Sequence, residues 1–358
     1  MRWNEIYVAG LGSWLPDPVP VAEAVAAGEC GQEWIDDFGY ESVRIARESP
    51  EEGWTAPPDM AVAAGRTAHE RAGLSKSAYS LLLHGSTWFQ GLDIWPAASY
   101  IAKRTVGATV PGLDVQQRCN IGISGLDLAA AHLTVGYGKG SAVMLTTADR
   151  FGGPGANRWQ LRHGNAYADG ATATVLSTEG GFARLVATAT VADNSLEPMA
   201  RGEEPFGPVS RAAGEQIDLT ARGDAQKAVS DETLTNIRFG KVMQEAKQAV
   251  LDDAGLEIDD IAYVVIPSTG RIKGPFQIHH LLGVDESETT WDFARRSGHI
   301  GAGDWAAGLE NLLLTGALKA GDHVMLYGGG AGYTLTAAIL EILSIPAWAD
   351  RPATAGAS

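Results

Sequence analysis

The sequence predicts an α/β protein made of two duplicated halves, residues 1–185 and 186–345, followed by a flexible tail over 346–358. Two observations carry this prediction. A helix followed by a buried strand occurs twice, and both copies contain an Ala-Gly-Leu motif and a Ser-Thr motif at the same spacing. A repeat of about half a chain indicates two similar lobes, whereas a short repeat would indicate a solenoid.

The first copy has apolar residues at helical spacing over 60–72, which Gly73 ends before a buried strand over 80–83. The second copy has a helix over 242–254, ended again by a glycine, and a strand over 261–266. Alternating helices and strands predict mainly parallel sheets with helices on both faces.

The repeat continues downstream, where the segment from Asp114 to Cys119 corresponds to the segment from Asp292 to Ser297. Each segment precedes a Gly-rich turn and an Ala/Leu-rich helix. Each copy then ends on a buried strand, over 142–145 and 323–327. The duplication therefore extends over most of the chain.

A segment rich in Gly, Pro, Glu and Arg separates the two copies, over residues 193–225. It has no periodicity of its own, which predicts a long loop. Long loops of this kind often carry function. We expect this one to cover an active site.

The composition, with 45% hydrophobic and 20% charged residues, is typical of soluble globular proteins. No apolar run approaches the roughly 18 residues of a membrane span, and the N-terminus lacks the features of a signal peptide. Cys30 and Cys119 alone cannot form the disulfide framework of a small secreted fold. These features predict a cytoplasmic location.

The formal net charge of -16 argues against binding to nucleic acid or to anionic membranes. Docking of an acidic partner protein would then need a local basic patch. The candidates for such a patch are Lys103, Arg104, Arg118, Arg158 and Arg162.

Cys119 ends a strand-like run and precedes a glycine-containing turn and a helix that begins near Leu126. A thiol at a helix N-terminus has its thiolate stabilised by the helix dipole, so this is a nucleophile position. A buried structural cysteine is the alternative, because free cysteine is among the most buried residue types.

His299 and Asp304 lie in a Gly-rich segment at the corresponding turn of the second copy. An imidazole can move a proton near neutral pH, and a carboxylate can orient it. The alternative is a surface-loop histidine, with Asp304 as N-cap of a helix that starts at Trp305.

Residues 327–334 contain four glycines and two tyrosines and follow a buried strand. They predict either backbone N–H groups for an oxyanion hole or a phosphate loop, and the order of glycines does not match the nucleotide-binding motifs. Residues 162–171 predict a tight structural turn.

The chain resembles the ketoacyl synthase III group of the thiolase superfamily. The resemblance covers most of the chain and rests on motifs in a fixed order. These are Val8 to Pro16, Asp114-Val115 before Cys119, Asp169-Gly170-Ala171, and Gly330 to Thr334. It implies a thiolase-like αβαβα sandwich of two duplicated halves, usually a homodimer.

Condensing members of that group pair the cysteine with a histidine and an asparagine that promote decarboxylation of a malonyl unit. In this sequence the histidine falls at or beside Ser268, and His299 occupies the asparagine position. A subgroup that acylates sugars, aminocyclitols or other small acceptors in antibiotic pathways has a Cys-His-Asp triad with a His-x-Gly-Ala-Gly-Asp segment. The segment from His299 to Asp304 is similar to it.

This resemblance implies Cys119 as nucleophile, His299 as base and Asp304 as its orienting carboxylate. Backbone N–H groups of Cys119 and Ala331 would form the oxyanion hole, and Trp95 and Ser268 would line the substrate pocket, Trp95 across a dimer. The implied donor is an acyl carrier protein or coenzyme A thioester, with no metal or redox cofactor.

The implied reaction moves an acyl group, of aromatic polyketide type in some subgroup members, to a hydroxyl or amine of a small acceptor. The alternatives are a priming ketosynthase III that condenses a starter acyl group with malonyl carrier protein, and a catalytically silent partner subunit.

Overall fold

The computed structural model describes residues 1–48, 55–136, 140–208, 214–271 and 278–349. The strands in these ranges are β1 (Tyr7–Trp14), β2 (Pro18–Pro20), β3 (Ser42–Arg44), β4 (Tyr79–Gly85), β5 (Gly112–Val115), β6 (Ala142–Asp149), β7 (Gly170–Ser177), β8 (Ala183–Ala192), β9 (Ile261–Val265), β10 (His323–Gly330) and β11 (Thr334–Ile342). The α-helices there are α1 (Val21–Ala26), α2 (Glu33–Asp36), α3 (Pro57–Ala72), α4 (Ala97–Arg104), α5 (Ile121–Val135), α6 (Pro198–Arg201), α7 (Leu219–Val229), α8 (Glu232–Ala254), α9 (Ile278–Leu282), α10 (Trp291–Ser297) and α11 (Asp304–Leu314).

Among the described residues, nine strands form one mixed sheet in the order β5-β4-β6-β7-β1-β8-β11-β10-β9. The strands β4 and β5, β4 and β6, and β9 and β10 pair in parallel, and the other neighbours pair antiparallel. The expectation of mainly parallel sheets was therefore wrong. A tight turn joins β10 to β11, and such a turn connects only antiparallel strands. A strand that is buried on both faces is apolar along its whole length, so its sequence does not show whether it pairs parallel or antiparallel with its neighbours.

The two halves of the sheet have the same internal order. β1 neighbours β7, β6 and β4 in turn, as β8 neighbours β11, β10 and β9. Tyr7 pairs with Arg184 and Val8 with Ala183 where the halves meet. The boundary predicted at residue 185 falls inside β8. The proposed counterpart of the segment that ends at Cys119 is helical, because Trp291–Ser297 forms α10.

Helices cover both faces of the sheet. In β4, Leu83 packs against a central core that includes Leu126 of α5 and Leu309 of α11, whereas Leu82 packs against Met60 of α3. In the second half, residues of β10 alternate in the same way between this central core and α8. The two halves of the sheet therefore form two layers with α5 and α11 between them, α3 outside the first half and α8 outside the second. This order of helix, sheet, helix, sheet and helix confirms the αβαβα sandwich.

The segment over 193–225 is not a plain loop. It contains α6 and the start of α7, whose N-cap Asp218 accepts a hydrogen bond from Ala221 N–H. Residues 209–213 of this segment lie outside the described residues. No helix in the part of the chain that the structure describes has the length and apolar character needed to cross a bilayer.

The first residues of the predicted tail pack on the protein. The ring centroids of Trp348 and Phe182 lie 6.0 Å apart. The Arg71 guanidinium lies 4.0 Å from the centroid of the Trp348 ring. Ala349 is buried. The prediction of a flexible tail over 346–358 was thus wrong for these residues, because Trp348 packs against the Phe182 ring and the Arg71 guanidinium. Residues 350–358 lie outside the described residues.

Candidate active site

Cys119 lies in a 3-10 turn, Arg118–Asn120, directly before α5. The preceding strand β5 ends at Val115, so the strand-like run stops short of the cysteine. Arg118 has a φ of 50°, which non-glycine residues rarely adopt, and such strain clusters at functional sites. The turn places Cys119 at the positive end of the α5 dipole.

Gly122 lets the start of α5 approach the loop of the second half. A side chain at this position would collide with the carbonyl oxygen of Ala302. This contact joins the nucleophile turn to the segment that carries His299. As a result, Cys119 Sγ lies 3.0 Å from His299 Nε2, although 180 residues separate the two in the chain.

The backbone of His299 is fixed by the segment predicted to be a structural turn. His299 N–H donates to Ala166 O, and Ala168 N–H donates to His299 O, both at 2.8 Å. The Tyr167 ring packs edge-on against the imidazole, with centroids 5.4 Å apart. The alternative of a surface-loop histidine was therefore wrong, because the residue is only 3% exposed.

Asp304 engages the histidine with one carboxylate oxygen. Its Oδ2 lies 2.5 Å from His299 Nδ1 and also accepts a hydrogen bond of 2.7 Å from Ser268 N–H. Its Oδ1 accepts from Ile300 N–H at 2.9 Å. Asp304 is the first residue of α11, whose N-cap is Gly303, and its carboxylate accepts hydrogen bonds from residues outside that helix. The interpretation of Asp304 as a helix cap was wrong.

The charges around His299 favour its protonated form. Burial alone would lower the pKa of the imidazole, but the charges of Asp304 and Cys119 and the hydrogen bonds to both raise this pKa well above the usual value. The imidazolium can then donate from Nδ1 to Asp304 and from Nε2 to Cys119 Sγ.

Ser268 does not line the substrate pocket, contrary to the expectation. It is 1% exposed, its hydroxyl has no hydrogen-bond partner among the described residues, and its carbonyl accepts from Tyr40 OH. Ser268 fails as a pocket residue because its backbone faces Asp304 and its side chain is buried in the protein. Its N–H instead orients the carboxylate.

Trp95 lies away from the residues that line the cavity around Cys119 in its own chain. It is half-buried at the start of α4, where its ring packs against Tyr100 with centroids 5.4 Å apart. A contact with the site of another chain stays a prediction.

The glycine-rich segment forms the end of β10 and the turn to β11. A side chain on Gly330 would lie 2.8 Å from Gln117 O and 3.0 Å from Asn120 N, so this turn packs against the nucleophile turn. Ala331 borders the same cavity as Cys119. The phosphate-loop alternative was wrong, because a strand and not a helix follows these glycines.

A cavity of about 710 Å³ opens beside Cys119 and His299. Its walls are mainly apolar and come from both halves and from the segment between them. The apolar side chains include Phe151, Leu161, Ile217, Leu219, Phe239, Met243, Tyr333 and Leu335. Ile217, Leu219 and Ala200 belong to the segment between the copies, so the described part of that segment lines the cavity.

Among the described residues, four arginines also border the cavity: Arg118, Arg162, Arg222 and Arg271. The first two were candidates from the sequence, and Arg222 and Arg271 were missed because their segments showed no basic cluster. The remaining candidates lie elsewhere. Arg158 binds the buried Asp169, and Arg104 lies over the Tyr100 ring.

Cys30 differs from Cys119 in its surroundings. Burial, with Glu33 and Glu29 adding to it, raises the pKa of the Cys30 thiol to about 11. Cys30 is therefore almost wholly protonated at neutral pH and is a poor nucleophile.

Comparisons with known proteins agree with this fold. The model of the C-terminal part of 3-oxoacyl-acyl-carrier-protein synthase III matches residues 251–342. The beta-ketoacyl-acyl-carrier-protein synthase III of Listeria innocua is 25% identical over 93% of this chain and 98% of its own. The solved structure of ChlB3, an acyltransferase, has a TM-score of 0.89 and 35% identity, over 96% of this chain and 99% of its own. The 3-oxoacyl-acyl-carrier-protein synthase III of Aquifex aeolicus has a TM-score of 0.73 and 19% identity, over 94% of this chain and 99% of its own, which is a likeness of fold.

Proposed function

Because the chain belongs to the ketoacyl synthase III-like group of the thiolase superfamily, we propose that it is a cytoplasmic acyltransferase of antibiotic or other secondary metabolism. It takes an acyl group from a thioester onto Cys119 and passes it to a hydroxyl or amine of a small acceptor. The observation that carries this proposal is the continuous hydrogen-bonded chain from Cys119 through His299 to Asp304.

The first half-reaction forms the acyl-enzyme. Cys119 Sγ attacks the thioester carbon, a new C–S bond forms, and the donor's C–S bond breaks. The departing thiolate takes the proton held at His299 Nε2. Backbone N–H groups of Cys119 and Ala331 donate to the carbonyl oxygen, which becomes negative in the tetrahedral intermediate.

The second half-reaction uses the same imidazole as a base. The acylated sulfur carries no charge, so part of the attraction that raises the pKa of His299 is removed. The neutral imidazole takes the proton of the acceptor while the acceptor's oxygen or nitrogen attacks the acyl carbon. The C–S bond then breaks, and Cys119 leaves as a thiolate beside the reprotonated His299.

The cavity accommodates both substrates in turn. A volume of about 710 Å³ with mostly apolar walls suits the pantetheine arm of a carrier protein or coenzyme A, and then an acceptor of drug-like size. These walls also suit an aromatic, polyketide-derived acyl group. The exposed Arg118 and Arg162 would attract the phosphate of the arm or an acidic carrier. No metal or redox cofactor takes part in the proposed steps.

The main competing function is a priming ketosynthase. We expect the protein to release carbon dioxide from a malonyl thioester at less than about one hundredth of its rate of acyl transfer, because Ser268 cannot offer an imidazole hydrogen bond to the enolate oxygen. Assays with labelled malonyl carrier protein measure this release. Efficient release that depends on Cys119 would support the ketosynthase instead.

We also propose a homodimer with an apolar surface near Trp95. Phe89, Leu92 and Ile94 precede it in the chain and are exposed, and Ile94 has a φ of 49°, rare for a β-branched residue. Light scattering at micromolar concentration should give twice the mass of one chain. Ile94→Asp should lower this measured mass towards that of a single chain. A monomeric wild type would contradict a pocket shared between subunits.

A further inference from the structure

A second carboxylate lies close to the reacting sulfur. Asp149, the last residue of β6, is 0% exposed, and its Oδ1 accepts hydrogen bonds of 2.7 Å from both Thr87 N–H and Trp88 N–H. Its Oδ2 has no hydrogen-bond partner among the described residues. An unpaired oxygen on a buried carboxylate is costly, so a structural role alone explains Asp149 poorly.

Asp149 and Thr87 border the loop that carries the catalytic histidine. A side chain on Gly301 would collide with Asp149 Oδ2 and lie 3.1 Å from Thr87 Oγ1. Burial raises the pKa of Asp149 to about 7, while the N–H groups of Thr87 and Trp88, the Thr87 hydroxyl and the charge of His299 lower it. The carboxyl group therefore lies within electrostatic reach of both the Thr87 hydroxyl and His299.

The hydroxyl of Thr87 reaches the nucleophile. Thr87 Oγ1 lies 3.8 Å from Cys119 Sγ, within the range of a hydrogen bond to sulfur, and Thr87 borders the cavity. Arg118 Nη1 donates to Thr87 O at 3.1 Å, which ties this residue to the nucleophile turn.

Buried polar groups hold the loop that follows Thr87. Gln90 Nε2 donates to Trp88 O at 3.1 Å and to Ala148 O at 3.0 Å, and its Oε1 lies 3.1 Å from His84 Nε2. This loop is therefore fixed from several sides. The position of the Thr87 hydroxyl near Sγ is a consequence of that framework.

We propose that Thr87 is a second hydrogen-bonding residue of the nucleophile, held by Asp149 as a positioning residue, and that it donates to Cys119 Sγ when the sulfur leaves as a thiolate. This inference rests on the proposed acyl transfer and adds a donor to it. In the second half-reaction the electron pair of the breaking C–S bond moves to sulfur. His299 Nε2–H and Thr87 Oγ–H then both donate hydrogen bonds to the Cys119 thiolate. No proton leaves Thr87.

Thr87→Val keeps the branched shape and removes the hydroxyl. We expect it to slow deacylation of acyl-Cys119 by about tenfold, the effect of one hydrogen bond to a charged group. We also expect iodoacetamide to label Cys119 more slowly at a fixed neutral pH, by up to about tenfold, because the thiolate loses a hydrogen bond. Thr87→Ser, which keeps the hydroxyl, should restore most of the deacylation rate and most of the labelling of Cys119. Thr134→Val, at the other end of α5, is the matched control.

Asp149→Asn keeps an oxygen for the two N–H groups and removes the charge. It should slow deacylation by a similar factor, and the double variant with Thr87→Val should lose less than the product of the two factors, because both act through one hydroxyl. Labelling by iodoacetamide needs no acyl transfer, so it tests Thr87 even if the proposed function fails. Unchanged labelling and deacylation in Thr87→Val, or independent effects in the double variant, would overturn the inference.

Discussion

Cys119→Ala is expected to eliminate acylation of the protein by thioesters and to lower acyl transfer by roughly 10⁴-fold or more, as loss of a covalent nucleophile does. Cys119 has a hydrogen-bonded imidazole 3.0 Å away and lies at a helix N-terminus, whereas Cys30 has neither. Intact mass and peptide mapping after incubation with a panel of acyl thioesters measure the effect.

Cys30→Ala is the matched control and should keep both acylation and transfer. Acyl label on Cys30, or undiminished acylation of Cys119→Ala, would refute the assignment of the nucleophile. A wild-type protein that gains no mass from any thioester would instead support a catalytically silent partner subunit.

His299→Ala should lower transfer by about 10²- to 10⁴-fold, the usual effect of removing a general base. Asp304→Asn should also lose much of the rate. Asp304 Oδ2 accepts from both His299 Nδ1–H and Ser268 N–H, while Oδ1 accepts from Ile300 N–H. The Asn side chain has only one oxygen, so in either orientation its NH₂ group faces an N–H donor. The neutral amide also cannot stabilise an imidazolium at His299.

Single-turnover transfer from acyl-Cys119, together with thermal melts, separates chemistry from folding in these variants. Asp304→Asn should lose about 1 to 3 kcal/mol of stability, the cost of a buried donor without a partner. Asp322→Asn is a useful control, because Asp322 is buried, accepts from Lys319 N–H and directly precedes β10, whose opposite end borders the site. Near wild-type transfer in Asp304→Asn would show that the carboxylate does not act through His299.

The sequence predicted the features that depend on local spacing. The duplication was visible because the motifs keep the same separation in both copies, and His299 with Asp304 was visible because both lie in one short segment. The pairing of this segment with Cys119 followed from the duplication and the resemblance. The structure then placed the three side chains in hydrogen-bonding distance.

Other features depend on packing that spacing does not encode. Helix α7 was missed because it has no buried residue and hence no apolar stripe to reveal it. Ser268 was assigned to the pocket because a sequence position does not give the direction of its side chain. Asp149 and Thr87 were missed because they are distant in the chain and each alone resembles an ordinary strand-end residue.

The fate of the acyl group on Cys119 distinguishes acyl transfer from condensation. Wild-type protein is acylated with a labelled aromatic thioester, freed of donor, and mixed with a panel of alcohol and amine acceptors or with malonyl carrier protein. We expect the label to leave Cys119 as an ester or amide of an acceptor, with no carbon dioxide released. Transfer of the label only to malonyl carrier protein, with one carbon dioxide for each acyl group, would contradict the proposed acyl transfer.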